Sequence, residues 1–177
     1  MLRDIIAAKL AVVFVGTSKS TTSARAGHYY ANPQNDFWNL LEATGLAGDV
    51  WIGPSCDQTV LEHGIGLTDI VPGRAASSDA LLKPGDYDVP GFIEKIERYV
   101  PSVVAFNGEM AAAKVARHLG QSKPAEGPGT WMIGEALVYR LPSSSSANAT
   151  GGYAAKRAKW VEFGHWVSQH ATDASAD

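Results

Sequence analysis

Apolar residues along the chain fall into short blocks with two different periods, separated by polar and glycine-rich stretches. Leu10 to Val15 is a continuous apolar run with three β-branched valines up to Gly16, the pattern of a strand buried on both faces of a parallel sheet. Leu67–Val71 reads as a second strand and Ser102–Phe106 as the next apolar one, and Trp131–Ile133 and Leu137–Leu141 are two further short runs. Other blocks have helical spacing. Phe37, Leu40 and Leu41 share one face of a helix that Asn35 can cap and Gly45 ends. Pro54 and Ser55 open a short helix toward Leu61, closed by Gly64 and Gly66. Phe92, Ile96 and Tyr99 predict a helix over 91–99 that Pro101 stops, an alanine-rich helix follows over 109–119, and a last one covers 153–170. Residues 17–32 show no helical periodicity. Residues 74–90, rich in aspartate and proline, read as a surface loop with one turn of helix, and 120–129 as a hairpin region. Alternating strands and helices predict an α/β fold with a mainly parallel sheet and right-handed crossovers.

The length of 177 residues fits a single domain over 1–177, with 171–177 expected as a frayed tail. With 45% hydrophobic and 19% charged residues, the composition is globular and excludes collagen-like, mucin-like and coiled-coil chains. Cys56 is the one cysteine, so the chain by itself forms neither an internal disulfide nor a four-cysteine zinc or iron–sulfur site. That count suits a reducing cytoplasm. Asp4 and Lys9 interrupt the N-terminal apolar run, which reads as structure and not as a secretory leader, and no run approaches the roughly 18 apolar residues of a membrane span. The formal net charge is −3, so a polyanionic partner would require a local basic face. Lys19, Arg25, Lys156, Arg157 and Lys159 are the candidates for one.

In α/β folds ligands bind at the carboxyl ends of the strands, so chemistry is sought in the loops after Val15, Val71, Phe106 and Leu141. Gly16-Thr-Ser-Lys-Ser has the lysine and serine of a phosphate-binding loop but Ser18 in place of the glycine before the lysine. Neither G-x-G-x-x-G nor G-x-S-x-G occurs, which removes dinucleotide-binding and α/β-hydrolase readings. His28, His63, His118, His165 and His170 form no H-x-x-x-H pair, and no metal site is expected. Cys56 and His63 are seven residues apart, and a lone cysteine reads as a small hydrophobe.

A stronger signal lies in four ordered blocks. The first is Gly16-Thr-Ser followed by Gly27-His-Tyr-Tyr-Ala-Asn-Pro-x-Asn-x-Phe-Trp38; the second is Gly64-Ile-Gly-Leu-Thr-Asp-Ile-Val71. The third is Val103-Val-Ala-Phe-Asn-Gly108, and the fourth Leu141-Pro-Ser-Ser-Ser-Ser-Ala-Asn148. From about residue 10 to about 170 the chain resembles the mismatch-specific uracil and thymine DNA glycosylases, in the subgroup whose first motif begins Gly-Thr. The resemblance implies a three-layer αβα sandwich with a central, mainly parallel sheet of about four strands. It also implies base flipping, which costs least at a mismatch such as G·U.

The resemblance assigns roles residue by residue. Tyr30 stands where the family stacks an aromatic ring on the extruded base, with His28, Tyr29 and Asn35 shaping the pocket. Backbone N–H groups of Gly16, Thr17 and Ser18 face the negative charge that develops on the leaving base. The family pattern Gly-Ile-Asn-Pro-Gly uses its asparagine to position water; Ser18 occupies that place here. Asp69, at the end of the second strand, is the candidate that takes over the water and stabilises the cationic sugar. In the fourth block Ser143 lines the base pocket, Ser144, Ser145 and Ser146 grip phosphates, and Ala147 and Asn148 enter the gap left by the flipped nucleotide; Lys156 and Arg157 follow as DNA contacts. The implied activity is monofunctional hydrolysis of uracil, thymine or deaminated purines from mismatched or single-stranded DNA, by a monomer without cofactor. Two other readings stay open: a reader of damaged DNA with little turnover, and a hydrolase of free nucleosides or nucleotides.

Overall fold

The computed structural model describes residues 2–146 and 151–171. Ala147, Asn148 and the predicted tail from 172 onward lie outside the described residues. Five strands, β1 (Val12–Ser18), β2 (Ile65–Val71), β3 (Val103–Asn107), β4 (Gly127–Ile133) and β5 (Ala136–Leu141), form one sheet in the order β2-β1-β3-β5-β4. All neighbours are parallel except β4, which pairs antiparallel to β5. The sheet thus has one strand more than the expected four. β4 is an edge strand whose first half alternates partly buried and exposed residues around Gly127, Pro128 and Gly129, so its apolar signal begins only at Trp131.

Side-chain alternation sorts the strands onto two faces. Val12 and Phe14 of β1, Leu67 of β2, Ala105 of β3 and Tyr139 of β5 pack under helices α2 (Phe37–Thr44) and α5 (Gly152–His170). Val13, Val15, Ile70, Val104 and Phe106 pack under α3 (Val89–Tyr99) and α4 (Glu109–His118). The expected three layers result.

Three local expectations change. Residues 17–32 contain a helix, α1 (Thr21–Ala26), capped by the Ser20 hydroxyl and ended at Gly27. It buries only Ser23, so its sequence has no apolar stripe to show. The stretch Pro54–His63 is 3-10 and ends at Gly64, while Gly66 lies inside β2, where a Cβ would sit 2.7 Å from Leu10 and 3.0 Å from the Ile5 carbonyl oxygen. The N-cap of α2 is Asp36 and not Asn35; Asn35 Oδ1 instead accepts from the Phe37 N–H at 3.0 Å.

Candidate active site

Strand register builds the site one row beyond the apolar core. Leu67, Phe14, Ala105 and Tyr139 form a row across the sheet on the α2/α5 side. Two residues further along each strand, on the same face, stand Asp69, Gly16, Asn107 and Leu141, with Asp69 paired to Gly16 and Asn107 to Leu141. The core therefore gives way to polar groups at the carboxyl ends of the strands. Gly16 is required by contact: a Cβ there would lie 2.4 Å from Asp69 Oδ1, so the absent side chain is the space the carboxylate occupies. The pairing of β1 with β3 stops at Val15–Phe106 while that with β2 continues to Ser18–Val71, which leaves one edge of Gly16, Thr17 and Ser18 lining a cavity of about 490 Å³.

Asp69 is 4% exposed and lines that cavity. Burial raises its pKa to about 6 against the opposing pull of the Lys19 ammonium, whose Nζ lies 3.5 Å away and is itself buried. That contact is an ion pair longer than a normal hydrogen bond. Asp69 Oδ2, the oxygen that faces Lys19, makes no hydrogen bond among the described residues.

Tyr30 forms one wall. Its ring stacks on Phe37 at 3.9 Å between centroids and 14° between planes, and Phe37 is wedged edge-on between Phe14 and Trp38. The Tyr30 backbone is in the left-handed region, φ 49°, an unfavourable conformation for a tyrosine that the surrounding packing holds in place. The Tyr30 hydroxyl is buried close to Asp69 and Asn107 without a hydrogen bond of good geometry, and burial pushes its pKa well above the usual phenol range. Asn35, Ser143, Ser144 and Ser145 complete this side of the cavity.

A further part of the lining comes from the stretch predicted to be a surface loop with one turn of helix, which holds two short 3-10 turns, Asp79–Leu81 and Pro84–Asp86. Ala76, Ser77, Ser78 and Asp79 line the cavity, and the Ala76 N–H, bonded to the Lys19 carbonyl at 3.0 Å, ties this loop to the end of β1. Asp79 stands at the rim; partial burial raises its pKa while a hydrogen bond from the Thr17 hydroxyl opposes the rise. Asn107 was legible as part of the third block but not as a site residue. Its side chain donates to the Ser144 hydroxyl at 2.8 Å and accepts from the Ser144 N–H at 2.8 Å, and so fixes the serine loop against β3.

Several expected roles change with the geometry. His28 does not line the cavity; its ring faces the buried Asp57 carboxylate at 3.3 Å. Tyr29 lies behind Tyr30, with its hydroxyl donating to Asp4 and its carbonyl accepting from the Trp38 indole, and it reaches only a small alcove of about 140 Å³ next to Lys19. Ser144 is fully buried and its hydroxyl is taken by Asn107, so it is not available to a phosphate. Lys156 is buried and bonded to Asp36 and the Ser145 carbonyl. Lys19 likewise spends its charge on Asp69 and not on a basic surface. Arg157 and Ser146 are exposed, and Ala147 and Asn148 are outside the described residues.

The chain has the fold of a candidate uracil DNA glycosylase from Methanosarcina acetivorans solved by solution NMR, with a TM-score of 0.63 at 22% identity over 94% of this chain and 96% of that one. The family model for the uracil DNA glycosylase superfamily matches residues 4–164, a span that contains every cavity-lining element described above. By that match over most of its length, the chain belongs to the uracil DNA glycosylase superfamily.

Proposed function

We propose that the protein is a monofunctional DNA glycosylase that hydrolyses the N-glycosidic bond of uracil in mismatched DNA, with thymine and deaminated purines as further substrates, and works without a cofactor. The observation that carries this reading is the buried Asp69 carboxylate, ion-paired to Lys19 but with no hydrogen bond to its Oδ2 among the described residues, in the lining of a cavity shared with Tyr30 and the Gly16–Ser18 backbone. An extruded base stacks on Tyr30, whose own support on Phe37 keeps the ring in place. As the C1′–N bond breaks, its electron pair goes to the base, and backbone N–H groups along the open edge of Gly16–Ser18 face the resulting negative charge. Ionised Asp69 stabilises the cationic sugar and orients a water whose oxygen bonds to C1′; the carboxylate takes the proton that water loses. The base leaves as an anion and is protonated by solvent. Lys19 is held by Asp69, which disfavours amine attack on the sugar and hence strand cleavage.

The test is single-turnover excision on duplexes with one G·U, G·T, A·U or G·hypoxanthine pair and on single-stranded uracil DNA, with Asp69→Asn and Ser18→Ala beside the parent. Asp69→Asn is expected to lose roughly 10²–10⁴ in rate while still binding the G·U duplex, and Ser18→Ala to lose less. Normal excision by Asp69→Asn removes the assignment. Tight binding by the parent without excision of any base identifies the reader of damage that the missing motif asparagine would suit. Release of base from free nucleosides alone identifies the hydrolase alternative.

A further inference from the structure

The resemblance assigns Lys156 to DNA, yet its side chain is only 6% exposed. From the first turns of α5 its ammonium donates to Asp36 Oδ2 at 3.0 Å and to the Ser145 carbonyl at 3.1 Å. Asp36 immediately precedes Phe37, the ring on which Tyr30 stacks, and its own N–H donates to the Ser144 carbonyl at 3.0 Å. One turn further along α5, Trp160 donates through its indole N–H to the Pro142 carbonyl at 3.0 Å. Lys156 and Trp160 are four apart and so share a helix face. That face holds both ends of the loop from Pro142 to Ser145; it also meets the start of α2, through the Lys156 ion pair with Asp36 and the edge-on contact of Trp160 with Phe37.

We propose that Lys156 is a positioning residue that locks the serine loop in register with the Tyr30–Phe37 platform, so that the cavity wall and the segment leading to residues 147–148 move as one body. The catalytic part of this inference rests on the glycosylase reading; the structural part does not. A buried lysine with two internal acceptors has no charge to offer a phosphate, and this separates the inference from a DNA-contact role.

The full-length protein with Lys156→Met, which keeps the aliphatic stem, is compared with Lys156→Arg and the parent in three measurements. Binding of an undamaged duplex across a salt titration should give the same slope for Lys156→Met as for the parent, because no phosphate contact is lost. Amide exchange at Ser144 and Ser145 should quicken roughly tenfold or more while Trp160 to Val167 stays protected. Single-turnover uracil excision should slow by roughly 10–100-fold, with partial recovery in Lys156→Arg. A slope shallower by about 0.9, the signature of one phosphate contact, or unchanged exchange in the loop, overturns the proposal. If the parent excises nothing, the glycosylase reading fails by itself, and slope and exchange still decide the role of Lys156. Should Lys156→Met not fold, Asp36→Asn/Lys156→Met, which leaves no lone charge, carries the same measurements.

Discussion

At the scale of single residues the site is a contest between desolvation and charge. Burial favours the neutral form of Asp69, the Lys19 ammonium favours the ionised form, and burial is the larger, which leaves the pKa at about 6. Water activation needs the carboxylate, so single-turnover excision should climb through pH 6 and level off above it. Lys19→Met removes the nearest positive charge, and its rate profile should show the same climb at higher pH; a profile that stays in place would mean that Lys19 does not tune Asp69. Gly16 decides whether the carboxylate fits at all. Gly16→Ala, with its Cβ 2.4 Å from Asp69 Oδ1, should displace the carboxylate and lower excision roughly 10²-fold or more in a chain that still folds, to be checked by rate and circular dichroism together.

At the scale of elements, the crossing of α2 and α5 supports both the platform and the serine loop. It depends on Gly164, where a Cβ would meet the Thr44 carbonyl oxygen at 2.1 Å, so the helices approach to backbone contact. Gly164→Ala must push them apart. A loss of about 1–3 kcal/mol is expected for overpacking of this kind, and a melting temperature lower by roughly 3–10 °C in thermal unfolding. Elements with an apolar face were legible in the sequence: β1, β2, β3 and the helices over Phe37–Thr44 and Val89–Tyr99 appear within a few residues of their predicted places. α1 was not, because a helix held by its caps and burying one serine has no hydrophobic period.

At the scale of the molecule, much of the positive charge is already committed. Lys19, Arg74, Lys95, Lys123, Arg140, Lys156 and Lys159 each lie within ion-pair distance of a carboxylate on this chain. With a net charge of −3, DNA would be held through few phosphate contacts, and Arg25 and Arg157 are exposed cations that can supply them. The salt dependence of duplex binding should therefore be shallow. Arg25→Gln and Arg157→Gln should each flatten it by about 0.9; unchanged slopes would place the phosphate contacts elsewhere.

Residue order alone determined the alternation of strands and helices, the sheet residues that must be buried, and the polar blocks at the strand ends, because hydrophobic period and chain punctuation are local properties. It also marked Gly16, Tyr30 and Asp69 by motif. Only the tertiary structure decided which of the polar residues face the cavity. Register set Asp69 against Gly16, crossing helices buried Lys156, and the loop from Ala76 to Asp79 folded over the end of β1. A lysine bound to a phosphate and a lysine buried against an aspartate have the same letter in the sequence. What separates them is solvent exposure and a partner 120 positions away, and both exist only once the chain has folded.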